Sequence, residues 1–132
     1  MKTKILIPIY NDWKSVFKLL EKINLQLDGW EADISAIIIN DASTEERPSN
    51  IPLLENLKSI HIINMKENRG HARCNATGLK YIIEKENFDY IVLMDGDGED
   101  RPAEFGSLLC KGYENPDKVV TANRVKRSEG LF

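Results

Sequence analysis

Apolar and polar positions fall in blocks along this chain, and the spacing within each block separates strand from helix. Lys4-Ile5-Leu6-Ile7-Pro8-Ile9 is a short, β-branched apolar run and predicts a buried first strand. Beyond it Trp13, Val16, Phe17, Leu20, Ile23 and Leu27 recur at threes and fours, as one helix face requires. Asn11 or Asp12 is the expected cap of that helix, and Asp28-Gly29 its stop. Ile34 to Ile39 predicts a second strand, ending in the polar cluster Asn40-Asp41-Ala42-Ser43-Thr44. The next stretch holds Pro48 and Pro52 and reads as loop, followed by a short helical piece around Leu53 to Leu57. Ser59 to Asn64 predicts a third strand, and Gly70 to Lys85 a second long helix with Cys74, Leu79, Ile82 and Ile83 among its apolar positions. Tyr90 to Met94 predicts a fourth strand that runs straight into Asp95. Pro102 suits the first residue of a helix reaching about Tyr113, and Lys118 to Ala122 reads as a fifth strand.

Strands that are apolar throughout and alternate with helices imply a mostly parallel sheet covered on both faces. The expected fold is therefore a three-layer α/β sandwich, one domain over residues 1–132. Composition agrees: 42% apolar and 30% charged residues are ordinary globular values, and 132 residues suffice for one core. Eighteen basic against twenty-one acidic residues give a net charge of −3 with no long run of one sign. The electrostatic footprint of a nucleic-acid binder is thus missing. Ile37-Ile38-Ile39 and Ile91-Val92-Leu93-Met94 are too short to cross a bilayer, so no membrane segment is expected. Charge and proline interrupt the N-terminal apolar stretch too early for a signal peptide. Cys74 and Cys110 stand 36 positions apart, with neither His61 nor His71 at ligand spacing. Two reduced structural thiols are expected, without a zinc site.

The polar residues are informative by position. Open parallel sheets bind ligands beyond the carboxyl ends of their strands. Here the first strand ends at Tyr10-Asn11-Asp12, the second at Asp41 with Ser43, and the fourth at Asp95-Gly96-Asp97. Each carboxylate alone has an ordinary reading as cap or turn residue; delivery of all three to one edge points to a site. No G-x-G-x-x-G follows the first strand, and no Walker lysine loop exists, so backbone amides are not expected to cradle phosphate. A hard divalent cation, Mg²⁺ or Mn²⁺, is the natural substitute, and Asp95, Asp97 and Glu99 alternate in a glycine-rich turn suited to hold it. An EF-hand fails because its sixth and twelfth positions would be Asp100 and Gly106. A phosphatase of the haloacid-dehalogenase type places its D-x-D after the first strand, not the fourth, and expects threonine or valine where Glu99 stands.

With these residues in place, the chain resembles family 2 glycosyltransferases of the GT-A fold. Pro8-Ile9-Tyr10-Asn11 is similar to the family's "P-x-Y-N" turn, and Ile39-Asn40-Asp41-Ala42-Ser43 to its "v-D-D-G-S" segment, with Asn40 and Ala42 as departures. Asn68 to Gly78 resembles the "N-x-G-x-x-x-A-x-N-x-G" helix start. Met94 to Pro102 resembles the "D-x-D-x-Q-D-p-P" stretch of dolichol-phosphate mannosyltransferase-like members, with Glu99 where relatives have glutamine. Ala122 to Arg127 is similar to their "G-x-R" segment.

The resemblance implies an inverting transfer from a nucleotide-diphosphate sugar, UDP- or GDP-linked, to a polyprenyl phosphate or a cell-surface glycan. It implies that Pro8, Tyr10 and Asp12 line the nucleobase and ribose pocket and that Asp41 contacts the base. Asp95 and Asp97 would flank the diphosphate and hold the metal, with Glu99 as a further ligand. Arg69, Arg124 and Arg127 would face substrate, the last two at donor or acceptor phosphate, and Asp97 and Arg124 would carry catalysis. The family's catalytic domain usually exceeds 200 residues, so the chain is expected to be a donor-binding portion, truncated before the acceptor half. A cytoplasmic location, at the cytoplasmic face of a membrane for the full-length protein, follows from the same resemblance. A non-catalytic nucleotide-sugar and metal-binding module is the alternative, with a metal-dependent phosphatase behind it.

Overall fold

The first apolar run forms a strand, Lys2–Ile9 (β1), whose residues from Ile5 to Ile9 are all buried while Lys2 is exposed and Lys4 half-buried. The structure, a computed structural model, describes residues 2–96 and 105–114. Helix Trp13–Gln26 (α1), strand Asp33–Asn40 (β2), strand Ile60–Asn64 (β3), helix His71–Lys85 (α2), strand Tyr90–Leu93 (β4) and helix Phe105–Glu114 (α3) follow in order. The predicted fifth strand at Lys118–Ala122 and the Pro102 start of the last helix lie outside the described residues.

All strand pairs are parallel, in the order β3-β2-β1-β4. Alternation along β1 divides the core. Ile5, Ile7 and Ile9 join Val16, Leu20 and Ile23 of α1 and Phe105 and Leu109 of α3 on one face. Leu6, with Ile37 and Ile39 of β2, meets Cys74 and Ile82 of α2 on the other. This is the expected three-layer α/β sandwich. Chain direction explains the split: the path moves from β1 outward to β2 and β3, then returns past β1 to β4. Right-handed crossovers in opposite directions put their helices on opposite faces. The order therefore reverses at β1, and a crevice opens there at the carboxyl ends of β1 and β4.

Two local expectations change. Residues 53–57 form a turn instead of a helical piece, although Leu54 and Leu57 are buried in the core. Five residues behind a proline cannot repay helix nucleation. The side chain and carbonyl of Asn24 hold the turn instead, through the backbone N–H of Asn56 (2.8 Å) and its Nδ2 (2.8 Å). Asp12 occupies the N-cap position of α1 but makes no side-chain cap bond. Its carboxylate faces back to the Tyr10 N–H at 3.4 Å.

Candidate functional site

The carboxyl edge of the sheet is built by register. Ile9 of β1 lies level with Asn40 of β2, and Asn40 with Asn64 of β3. On the other side Leu6 pairs with Leu93, and the Met94 N–H still reaches the Leu6 carbonyl at 3.0 Å. Asp95 therefore emerges level with Pro8, below the top of β1, and Gly96 tucks in so closely that a Cβ there would meet Ile7 and Ile9. The crevice floor thus holds Pro8, buried, beside the half-buried Asp95, with Tyr10 exposed at the rim.

Loops after β1 and β2 are stapled together above that floor. Asn11 sits in the left-handed region at φ 57°, and asparagine tolerates it. Its backbone N–H donates to Ser43 Oγ at 2.9 Å, its Nδ2 to Thr44 Oγ1 at 2.9 Å, and its Oδ1 accepts from the Glu45 N–H at 2.9 Å. Trp13 adds an indole N–H to the Glu45 carbonyl at 3.1 Å. A hollow of about 400 Å³ lies beside this staple, walled by Trp13, Asn40, Ser43, Glu45, Arg47 and Asn64 among others. Asn40 is fixed within it, accepting from the Ser43 N–H at 3.1 Å and donating to Asn64 Oδ1 at 2.9 Å.

Asp41 is turned the other way. It is 1% exposed, and its two oxygens accept the backbone N–H groups of Arg69 (2.7 Å) and Gly70 (2.8 Å). Gly70 is the N-cap of α2 and has no side chain to cap with. The strand-end carboxylate supplies that cap from 29 residues away, with its charge at the positive end of the helix. Burial works to raise the Asp41 pKa, but these two N–H groups, the Cys74 thiol and the charge of His71 outweigh it and hold the carboxyl below its usual range. The Cys74 thiol, buried and hydrogen-bonded to that anion, is pushed up to about 12. A direct contact between Asp41 and a base, as the resemblance implies, would have to be made by an acid already enclosed and doubly bonded.

Asp12 is half-buried at the start of α1, facing Tyr10. Arg69 is exposed, and its guanidinium pairs with Glu67. Asp97, Glu99, Arg124 and Arg127 lie outside the described residues. Among the described residues no three His, Cys, Asp or Glu side chains converge to hold an ion. Two hard oxygen donors belong to elements that reach this edge: the carboxylate of Asp95, just past β4, and the Oδ1 of Asn75 in α2, buried and without a partner among the described residues. That set suits Mg²⁺ or Mn²⁺ better than a soft metal. Sequence reasoning missed the Asn11 staple, the Asn40–Asn64 pair and the Cys74–Asp41 bond. The only signal for them was the clustering of asparagines at strand ends.

Comparison with known proteins agrees with this architecture. The chain is 24% identical over 131 residues to undecaprenyl-phosphate 4-deoxy-4-formamido-L-arabinose transferase of Proteus mirabilis, covering 99% of this chain and 39% of that protein. The transferase of the same name from Shewanella sediminis is 26% identical over 127 residues, with 96% and 38% covered. The chain thus spans about two fifths of the length of these relatives. The crystal structure of S. aureus TarS 1-349 superposes with a TM-score of 0.61 at 18% identity, over 86% of this chain and 33% of that one, which shows a shared fold. No helix among the described residues is long and apolar enough to cross a membrane. The profile of glycosyl transferase family 2 matches residues 4–132, nearly the whole chain, and the protein belongs to that family.

Proposed function

We propose that this chain binds the nucleotide-sugar donor of an inverting glycosyltransferase whose acceptor is a polyprenyl phosphate. One observation carries the reading: the reversal of strand order at β1 brings Pro8, Tyr10 and Asp95 to one crevice, beside the polar hollow at Asn40. Family membership and the names of the undecaprenyl-phosphate transferases support it.

In this reading the nucleoside lies across Pro8, Tyr10 and Asp12, beside the hollow that the bonded Asn40–Asn64 pair helps to wall. Asp41 acts from beneath, holding the Arg69–Gly70 segment in place. The diphosphate lies over Asp95, with Asp97 and Glu99 from the following turn beside it and Arg124 and Arg127 meeting phosphate oxygens. The acidic groups would hold a divalent cation, which when bound would supply Lewis-acid stabilisation to the charge developing on the departing diphosphate. A polyprenyl phosphate acceptor is already anionic, so the residues need not provide a strong base.

The test is a thermal-shift panel of UDP- and GDP-linked nucleotides with and without Mn²⁺. The midpoint rises only when nucleotide and Mn²⁺ are both present, and EDTA abolishes the rise. A shift that EDTA leaves unchanged would refute the cation-dependent reading. Donor binding without turnover is the second reading. Release of nucleoside diphosphate in the presence of a polyprenyl phosphate separates the two.

A further inference from the structure

Asn75 carries the one buried side-chain oxygen that lacks a hydrogen-bond partner among the described residues. Leaving such a group unpaired costs about 1–3 kcal/mol, so a folded chain keeps it where something else completes it.

Contacts on either side of α2 fix which side of the helix carries Asn75. Tyr81 lies edge-on to His61 of β3, with ring centroids 5.4 Å apart, so the Cys74 and Tyr81 side of the helix faces β2 and β3. At the other end Glu86, just past the helix, pairs with Lys4 of β1 at 3.3 Å. Asn75, Leu79 and Glu86 lie within about 40° of one another around a helix turning 100° per residue, so Asn75 is on the β1 and β4 side. Gly78, three residues on, rests directly on Leu6. One helical turn nearer the carboxyl edge, the residue of β1 on that same face is Pro8, because side chains alternate along a strand. The same alternation sets Asp95 on this face, two residues beyond Leu93.

We infer that Asn75 is a further ligand-binding residue of the donor site, its Oδ1 serving the divalent cation over Asp95 directly or through a water on the ion. Asparagine carbonyls are ordinary ligands of hard cations. The inference rests on the reading of this crevice as a diphosphate and cation site.

The experiment titrates Mn²⁺ into the chain with UDP or GDP present, reading bound Mn²⁺ by electron paramagnetic resonance. Asn75→Ala should weaken Mn²⁺ binding roughly ten-fold or more, the range seen when a supporting ligand is removed. Asn75→Asp, which retains an oxygen, should restore it. The unfolding midpoint without metal should not fall in Asn75→Ala, since no protein partner is lost. If wild type binds Mn²⁺ with nucleotide and Asn75→Ala binds it equally, this inference is overturned while the reading of the site stands. If wild type itself binds no Mn²⁺ with nucleotide, both are overturned. Unchanged Mn²⁺ affinity combined with weaker nucleotide-sugar binding would assign Asn75 to a sugar hydroxyl and also overturn it. Should Asn75→Ala fail to fold, Asn75→Ser, which withdraws the amide oxygen, is judged by the same titration.

Discussion

Asp41 and Ala42 sit side by side and work against each other. Asp41 gains two charge-assisted bonds at the start of α2, whereas Ala42 adopts φ 57°, the left-handed region its Cβ disfavours. Ala42→Gly should therefore stabilise the fold by about 1 kcal/mol, read as a rise of roughly 3–5 °C in unfolding midpoint. Asp41→Asn should destabilise by about 2 kcal/mol at neutral pH, since one oxygen becomes a donor facing an N–H. The pH dependence follows from the direction of the shift. The folded pKa lies below the ordinary 3.8, so the stabilisation is complete above the unfolded value and is lost as pH falls through the folded one. The gap between wild type and Asp41→Asn in denaturant titrations should be constant above about pH 5 and narrow below 4. The aspartate was legible in the sequence as a strand-end acid. Its inward direction was not, because the N–H groups that capture it come from a segment 28 and 29 residues away.

Among the elements, α2 and the segment that follows β4 carry the consequences for the site. Gly78 lets the helix lie on β1 and β2: a Cβ there would collide with Leu6 and crowd Ile39 at 3.2 Å. Gly78→Ala should cost about 1–3 kcal/mol and lift the N-terminal half of α2, with Asn75, away from the crevice. Urea denaturation measures the first effect; weaker Mn²⁺-dependent nucleotide binding by folded protein at low temperature measures the second. Beyond β4, Asp97→Asn removes a proposed direct ligand and should abolish most cation-dependent donor binding. Glu99→Gln changes the residue that departs from the related pattern and should keep it. Mn²⁺ titrations with nucleotide present decide between them, and the reverse result would overturn the ligand assignment. Local sequence pattern announced each of the described strands and helices, the last of them through Pro102 as a helix start, since such pattern is a property of adjacent residues. It misjudged only residues 53–57, where Leu54 and Leu57 are buried without helical backbone.

For the molecule as a whole, the parallel sheet presents the carboxyl ends of its strands along one edge, where the proposed donor site lies. Binding that depends on that edge stabilises the fold by mass action. Nucleoside diphosphate and Mn²⁺ at a hundred times the dissociation constant should add about 2.7 kcal/mol, an upward shift of roughly 10 °C for a domain of this size. Nucleoside alone, which lacks the phosphates that would meet the cation, should give no measurable shift with or without EDTA.

The order of elements, the two buried faces and the delivery of acidic residues to strand ends were set by the sequence alone, because alternation at two and recurrence at three or four are local. Tertiary structure decided what those residues face. Placing β1 between β2 and β4 created the crevice. The approach of residues 69 and 70 turned Asp41 under α2, Gly78 seated that helix on Leu6, and the oxygen of Asn75 ended buried without a partner among the described residues. A side chain at the end of a strand takes its direction from donors and acceptors brought by distant segments, and spacing along the chain carries no record of them.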